Sequence, residues 1–279
     1  MQFNIIASTG RTATTFIAAS LNSQDGVAAT HEGYLGADKS TDPVIPLINL
    51  ENRSAFASLD ASISVAQAKR SPDIINMAEV PAGSNTLIDV AYYNATLTYG
   101  ILHENKSVRM IGIVRDCEPF VRSCTCIEGE DLLPVGWPAL DKPLSDREKF
   151  IGMGRVRPSR GDADFIAWKT WSAIRRNIWL WRETNVRLAH CKDAFPDRVK
   201  LIDFETLKGD PNAFWESISS FFDTPLFQPN PHLKSDFINK KVSGYQIGPS
   251  SEWQEDERAA LSAAMDGGLT NVSSPASPR

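Results

Sequence analysis

The sequence predicts a three-layer α/β/α fold around a central, mostly parallel β-sheet. Three observations carry this. Short apolar runs alternate with stretches of helical periodicity along most of the chain. One run, Met110-Ile111-Gly112-Ile113-Val114, is continuously apolar, as a strand covered on both faces must be. At 279 residues the chain can bury roughly three quarters of its unfolded surface, which is enough for one large core.

The first apolar run, Phe3 to Ala7, ends in the turn Ser8-Thr9-Gly10-Arg11-Thr12. An amphipathic stretch from Thr14 to Leu21 follows, so the chain opens as strand, turn and helix. A second strand, Val27 to Thr30, stops at His31-Glu32-Gly33. Residues 49–70 carry Leu50, Phe56, Leu59, Ile63 and Ala66 at helical spacing. Thr86–Ala91 and Arg109–Val114 read as strands, and the latter leads into a helix over Glu118–Cys126. Residues 128–160 are irregular. A long helix is expected from Ala163 to Lys192, a strand from Val199 to Phe204, and helices near 211–222 and 253–265. We read residues 1–266 as one domain and the Gly/Ser/Pro-rich 267–279 as a frayed tail.

Composition narrows the function. Lys and Arg number 29 against 34 Asp and Glu, for a net charge of −5, which opposes wholesale nucleic-acid binding. A small anionic ligand needs only a few local donors and stays possible. The four cysteines (Cys117, Cys124, Cys126, Cys191) are too few for a disulfide framework, and Cys124-x-Cys126 lacks a second pair at zinc spacing. No metal site is expected. The N-terminus shows no signal-peptide pattern, and no apolar run approaches the ~20 residues of a membrane helix. The expectation is a cytoplasmic protein that engages neither membrane nor nucleic acid.

Two places have the chemistry of an anion site. After the first strand, Gly10-Arg11-Thr12-Ala13-Thr14-Thr15 joins a tight turn to a helix N-terminus, where unpaired N–H groups and the helix dipole favour negative charge. It is not a nucleoside-triphosphate loop, because the sequence has no Gly-Lys dipeptide. The same residues would also serve as a plain threonine cap with an exposed arginine. The strand 109–114 ends in Arg115-Asp116-Cys117-Glu118-Pro119, and Ser123 follows eight residues after Arg115. Ligands of open parallel sheets bind at the carboxyl ends of the strands, so Arg115 and Ser123 face the crevice of the first turn. Taken alone, Arg115 would equally pair with Asp116 or Glu118. Together the two places describe a ligand with two separated phosphates.

These residues resemble the sulfotransferases that use 3′-phosphoadenosine 5′-phosphosulfate (PAPS). Arg11-Thr12-Ala13-Thr14-Thr15 is similar to that family's 5′-phosphosulfate loop, and Arg115 with Ser123 to its 3′-phosphate pair. The Trp168–Trp181 stretch and Leu201-Ile202-Asp203-Phe204-Glu205-Thr206-Leu207 match the family's later helix and strand, so the resemblance spans residues 3–223. Ala13 stands where the family has Gly, which requires that it keep a negative φ, and Cys117 stands where it has Pro. Lys240-Lys241-Val242-Ser243-Gly244 corresponds to the basic loop that closes over the cofactor, so Lys240, Lys241, Ser243 and Gly244 join the cofactor set.

The resemblance implies transfer of a sulfuryl group from PAPS to a hydroxyl or amine of a small molecule, leaving adenosine 3′,5′-bisphosphate, with no metal required. Arg11 would stabilise the leaving phosphate. The base would be His31 or Glu32, with Asp89 as a third candidate. A capping turn at 31–32 and a simple strand-end aspartate are the plain alternatives. Trp168, Trp171 and Trp181 read as core. Residues 128–148 are rich in acids (Glu128, Glu130, Asp131, Asp141, Asp146, Glu148), which suggests a lid facing a cationic acceptor; a solvated loop would look the same. The rival functions are a nucleotide or metabolite kinase on a related fold and a non-catalytic nucleotide-binding protein.

Overall fold

The computed structural model describes residues 1–36, 38, 55–68, 80–91, 94–128, 156–225 and 247–266. Among them six strands form one sheet: β1 (Gln2–Ser8), β2 (Val27–His31), β3 (Tyr34–Leu35), β4 (Thr86–Ala91), β5 (Arg109–Val114) and β6 (Val199–Asp203), in the order β3-β2-β4-β1-β5-β6. All neighbours are parallel except β2 and β3, which pair antiparallel through His31 and Tyr34. The three-layer, mostly parallel fold class read from the sequence is therefore the one observed.

The period-two alternation of the strands divides the core. Phe3, Ile5, Ala7, Leu87 and Met110 point to one face, where α2 (Leu59–Ala68), α3 (Asn94–Glu104) and the second half of α5 (Ala173–Ala194) cover them. Ile6, Ile88, Val90, Ile111 and Ile113 point to the other, under α1 (Thr14–Asn22), the short α6 (Phe204–Gly209) and α7 (Pro211–Phe222). A third cluster lies beyond the sheet, where α4 (Cys117–Glu128), the first half of α5 and α8 (Glu255–Asp266) enclose Phe120, Trp168, Trp179, Trp181 and Trp253.

Most expected elements fall within two residues of their observed bounds. The helix read over residues 49–70 is broken at residues 57–58, and a separate helix spans Leu59–Ala68. Residues 163–172 do not continue the long helix: a 3₁₀ turn spans Ala167–Thr170, Trp171 is extended, and Ser172 caps α5 by accepting from the Arg175 N–H. The strand expected to reach Phe204 ends at Asp203, whose carboxylate caps α6. Helix α3 has no counterpart in the sequence reading. Its sequence hides it, because Asn94, Ala95, Thr96, Leu97, Thr98, Gly100, Ile101 and Leu102 are all buried. A helix covered nearly all round has no polar stripe to betray its period. Residues 49–54, 129–155 and 226–246 lie outside the described residues, and so do Lys240, Lys241, Ser243, Gly244 and most of the acidic segment.

The strand order places β1 at the centre, between β4 and β5. The chain leaves β1 toward β2 on one side and leaves β5 toward β6 on the other. That divergence opens a crevice at the carboxyl ends of β1 and β5, the usual ligand position in such sheets.

Candidate active site

Both arginines singled out in the sequence stand at this crevice. Arg11 follows β1 and Arg115 follows β5. Arg115 Nη1 donates to the Arg11 carbonyl oxygen at 2.6 Å, and Arg11 Nε donates to Ser123 Oγ at 2.9 Å. Arg11, Arg115 and Ser123 thus form one connected group across three elements. Among the described residues Arg115 makes no ion pair with Asp116 or Glu118, although the Asp116 charge acts on it; Glu118 accepts from the Ser250 N–H at 3.0 Å and the Ser250 hydroxyl at 2.6 Å.

The rest of the chain holds Arg115 in place. Its guanidinium lies 5.1 Å from the Phe204 ring centroid, and its carbonyl oxygen accepts from Trp181 Nε1 at 2.7 Å. Of the Trp stripe, Trp168 and Trp181 are core, as expected, with Trp181 fully buried, whereas Trp171 is half-buried at the cluster's edge. Trp181 and Phe204 also serve the site, which the sequence alone did not reveal. Burial pushes the Arg115 pKa down, with the Arg11 charge adding to the effect and Glu205 opposing it. An arginine nevertheless stays charged near neutrality.

The loop between β1 and α1 is unusual in its backbone. Gly10 has φ 85°, Arg11 φ 56° and Ala13 φ 54°. The negative φ expected at Ala13 is therefore wrong: Ala13 occupies the left-handed position that the Gly would have taken. As the N-cap of α1 it offers no side-chain hydrogen bond, and the first turn contains no acid. The helix N-terminus is thus open to an anion. Two buried polar atoms here have no hydrogen-bond partner among the described residues, Thr12 Oγ1 and Arg115 Nε. Unpaired donors beside two cations are what a phosphate-bearing ligand requires.

The second group stands at the ends of β2 and β4. His31 Nε2 is 3.1 Å from Thr14 Oγ1 and 3.5 Å from Thr15 Oγ1, which ties it to the first turn of α1. His31 Nδ1 lies 3.9 Å from Glu32 Oε2, and both side chains are almost fully buried. Glu32 also has positive φ, 57°. Asp89 is buried beneath this turn. Its Oδ1 accepts from the Thr30 hydroxyl at 2.7 Å, its Oδ2 from Asn94 Nδ2 at 2.8 Å, and its carboxylate also from the Gly33 N–H. Burial raises its pKa, partly offset by those bonds. With its oxygens committed to three donors, Asp89 holds the 30–33 turn in position.

One pocket adjoins the site. Its walls include Thr9, Phe56, Thr96, Leu180, Thr184 and Arg187, and its cavity volume is about 10 Å³, room for about one water. Arg187 did not stand out in the sequence, although Leu180, Thr184 and Arg187 follow an i, i+4, i+7 spacing that puts them on one face of a helix. No group of three or more His, Cys, Asp or Glu among the described residues is arranged to hold a metal ion. Cys117, Cys124 and Cys191 are buried thiols, and burial pushes Cys191 up to about 12.

No protein-family model matches the chain, and no curated protein does. Solved structures do. A sulfotransferase domain from the curacin biosynthetic pathway is similar at 12% identity over 95% of this chain and 97% of that one, with a TM-score of 0.49. A sulfotransferase from Alicyclobacillus acidocaldarius is similar at 13% identity, 95% and 91% coverage and a TM-score of 0.48. A sulfotransferase domain from the Synechococcus PCC 7002 olefin synthase is similar at 14% identity, 94% and 93% coverage and a TM-score of 0.44. No helix among the described residues is long and apolar enough to cross a membrane.

Proposed function

We propose that this protein is a PAPS-dependent sulfotransferase acting on a hydroxyl or amine of a small molecule. The observation that carries the reading is the single group formed by Arg11, Arg115 and Ser123 beside the uncapped N-terminus of α1. The donor brings a sulfuryl group already joined to a phosphate leaving group. The N-terminal N–H groups of α1, with Thr12, Thr14 and Thr15, suit the 5′-phosphate. Arg115 and Ser123 suit the 3′-phosphate. Arg11, between the two, is placed to offset charge growing on the leaving oxygen. The acceptor's proton is taken by the His31–Glu32 pair, with Asp89 orienting the turn that carries them.

Calorimetric titration tests this directly. Adenosine 3′,5′-bisphosphate should bind without metal and should lose most of its affinity in Arg115→Ala. Preferential binding of ATP–magnesium would support a kinase instead, and no binding of either would leave a non-catalytic protein. In the same preparation, His31→Ala or Glu32→Ala should keep bisphosphate affinity while turnover falls roughly a hundredfold or more. Wild-type turnover in both variants would remove the base assignment.

A further inference from the structure

We propose that Arg187 is a positioning residue for the phosphate loop after β1, acting on Thr9 through one ordered water held between them. The inference rests on the sulfuryl-transfer reading and adds to it a residue of α5 on which that loop depends. The cavity beside the site has a volume of about 10 Å³, and its walls include Thr9, Thr96, Thr184 and Arg187. That is room for about one water, and a buried water is stable where roughly two to four polar groups surround it.

The existing bonds of these residues leave a consistent set for that water. Arg187 Nη2 donates to the Phe56 carbonyl oxygen, and the guanidinium carbon is 4.5 Å from the Phe56 ring centroid. Arg187 Nη1 is buried and has no hydrogen-bond partner among the described residues. Glu183, whose charge acts on Arg187, accepts from Arg182 Nε at 2.9 Å and Arg182 Nη2 at 2.7 Å. The Thr184 hydroxyl donates to the Leu180 carbonyl oxygen at 2.8 Å, and the Thr9 hydroxyl to the Gly10 carbonyl oxygen at 3.3 Å. Each hydroxyl has thus committed its one proton and keeps lone pairs to accept with. A water can accept from Arg187 Nη1 and donate one proton to Thr184 Oγ1 and the other to Thr9 Oγ1. About three bonds is the usual complement of a buried water.

The bridge bears on the reaction because of where Thr9 stands. Its hydroxyl holds the carbonyl oxygen of Gly10, and the Arg11 N–H is the other end of the same planar peptide. Fixing one end fixes the other. On the preceding side, Ser8 Oγ accepts from the Gly10 N–H at 3.0 Å. The two side chains therefore hold the peptides on either side of Gly10. Gly10 has φ 85° and Arg11 φ 56°, and a left-handed non-glycine residue persists only where its surroundings hold it. The water extends the Thr9 contact to α5, whose Leu188 and Cys191 are buried in the core. Arg187 thereby helps to set the turn proposed to receive the 5′-phosphate.

Two measurements test this. A crystal structure of the full chain without ligand should show one water within about 2.7–3.2 Å of Arg187 Nη1, Thr9 Oγ1 and Thr184 Oγ1. A dry cavity, or a water that does not reach Arg187, would overturn the proposal. Calorimetry then compares adenosine 3′,5′-bisphosphate with adenosine 3′-monophosphate, which lacks the 5′-phosphate. Thr184→Val removes one bond to the water with little change of shape, and Thr184→Ser keeps it. Bisphosphate affinity should fall about tenfold in Thr184→Val and in Arg187→Gln, and no further in the double variant. Thr184→Ser should bind as wild type, and 3′-monophosphate affinity should be unchanged in every variant. Equal losses for both nucleotides would mean a merely structural role, and undiminished bisphosphate binding in Thr184→Val would mean no role in the loop; either overturns the assignment. The crystal structure decides the water even if a variant fails to fold. Failure of the sulfotransferase reading shows separately, as wild-type protein that does not bind the bisphosphate.

Discussion

Ala13 is a residue-scale exception with a measurable consequence. Its φ of 54° and ψ of 32° put a side chain where Gly is the usual occupant. Arg11 and Glu32 share the left-handed region, so among the described residues three of the four non-glycine residues with positive φ stand at the candidate site. Backbone strain of this kind persists where the surrounding structure holds it, and it clusters at functional sites. A left-handed Ala costs about 1–2 kcal/mol. Gly would recover that, less about 0.4–1 kcal/mol for its freer unfolded chain. Ala13→Gly should therefore stabilise the protein by roughly 0.5–1 kcal/mol, read as a higher denaturant midpoint with an unchanged slope. A destabilised variant would contradict the left-handed geometry. At this scale the sequence was informative wherever the chemistry was local: Gly10 to Thr15, Arg115 with Ser123, and His31-Glu32 all sit at strand ends that the apolar runs mark. It was uninformative for Trp181 and Phe204. Their roles depend on contacts with a residue far away in the chain, since both meet Arg115.

Elements show the same division between local and distant causes. Short apolar runs exposed β1, β4 and β5, broken only by Asn4 in the first and Asp89 in the second, because a buried parallel strand needs little beyond apolar side chains and length. Helix α3 was hidden for the corresponding reason: its threonines and glycine suit burial against other helices, a demand invisible within its own eleven residues. Gly100 shows what that demand is. A Cβ built there would lie 2.1 Å from the Ser62 carbonyl oxygen of α2. Ser62 Oγ also donates to the Thr96 carbonyl oxygen at 3.0 Å and accepts from the Gly100 N–H at 3.1 Å. The obstacle is backbone, so it cannot rotate aside. Gly100→Ala gains about 1 kcal/mol of helix propensity, but it must force α2 and α3 apart. Overpacking costs about 1–3 kcal/mol where side chains can adjust and more where backbone must move. We expect a net loss of about 1–2 kcal/mol in chemical denaturation. A neutral or stabilised variant would mean that the two helices are not this close.

The whole molecule couples its sheet to its site through Asp89. Parallel pairing of β2 with β4 sets Thr30 opposite Asp89, and the carboxylate then fixes the turn bearing His31 and Glu32. That arrangement costs stability at neutral pH, because it keeps an acid in the interior where the ionised form is poorly solvated. Burial is the largest influence on Asp89 and raises its pKa above the ordinary carboxylate value, despite the bonds from Asn94, Thr30 and Gly33. The folded state then holds this proton more tightly than the unfolded chain. Its contribution to stability is full below the ordinary aspartate range and is lost as pH rises through the raised value. Glu104 and Glu118, both half-buried, are shifted the other way by their hydrogen bonds to His103 and Ser250. Asp89→Asn removes the titrating group while keeping its shape. Relative to wild type, the variant should therefore become more stable as pH rises above the ordinary aspartate range, and the difference should level off once Asp89 is ionised in the folded state. Denaturation at several pH values measures that difference. A constant difference across the range would show that burial does not shift Asp89, and a difference that moves the opposite way would show that its hydrogen bonds outweigh burial.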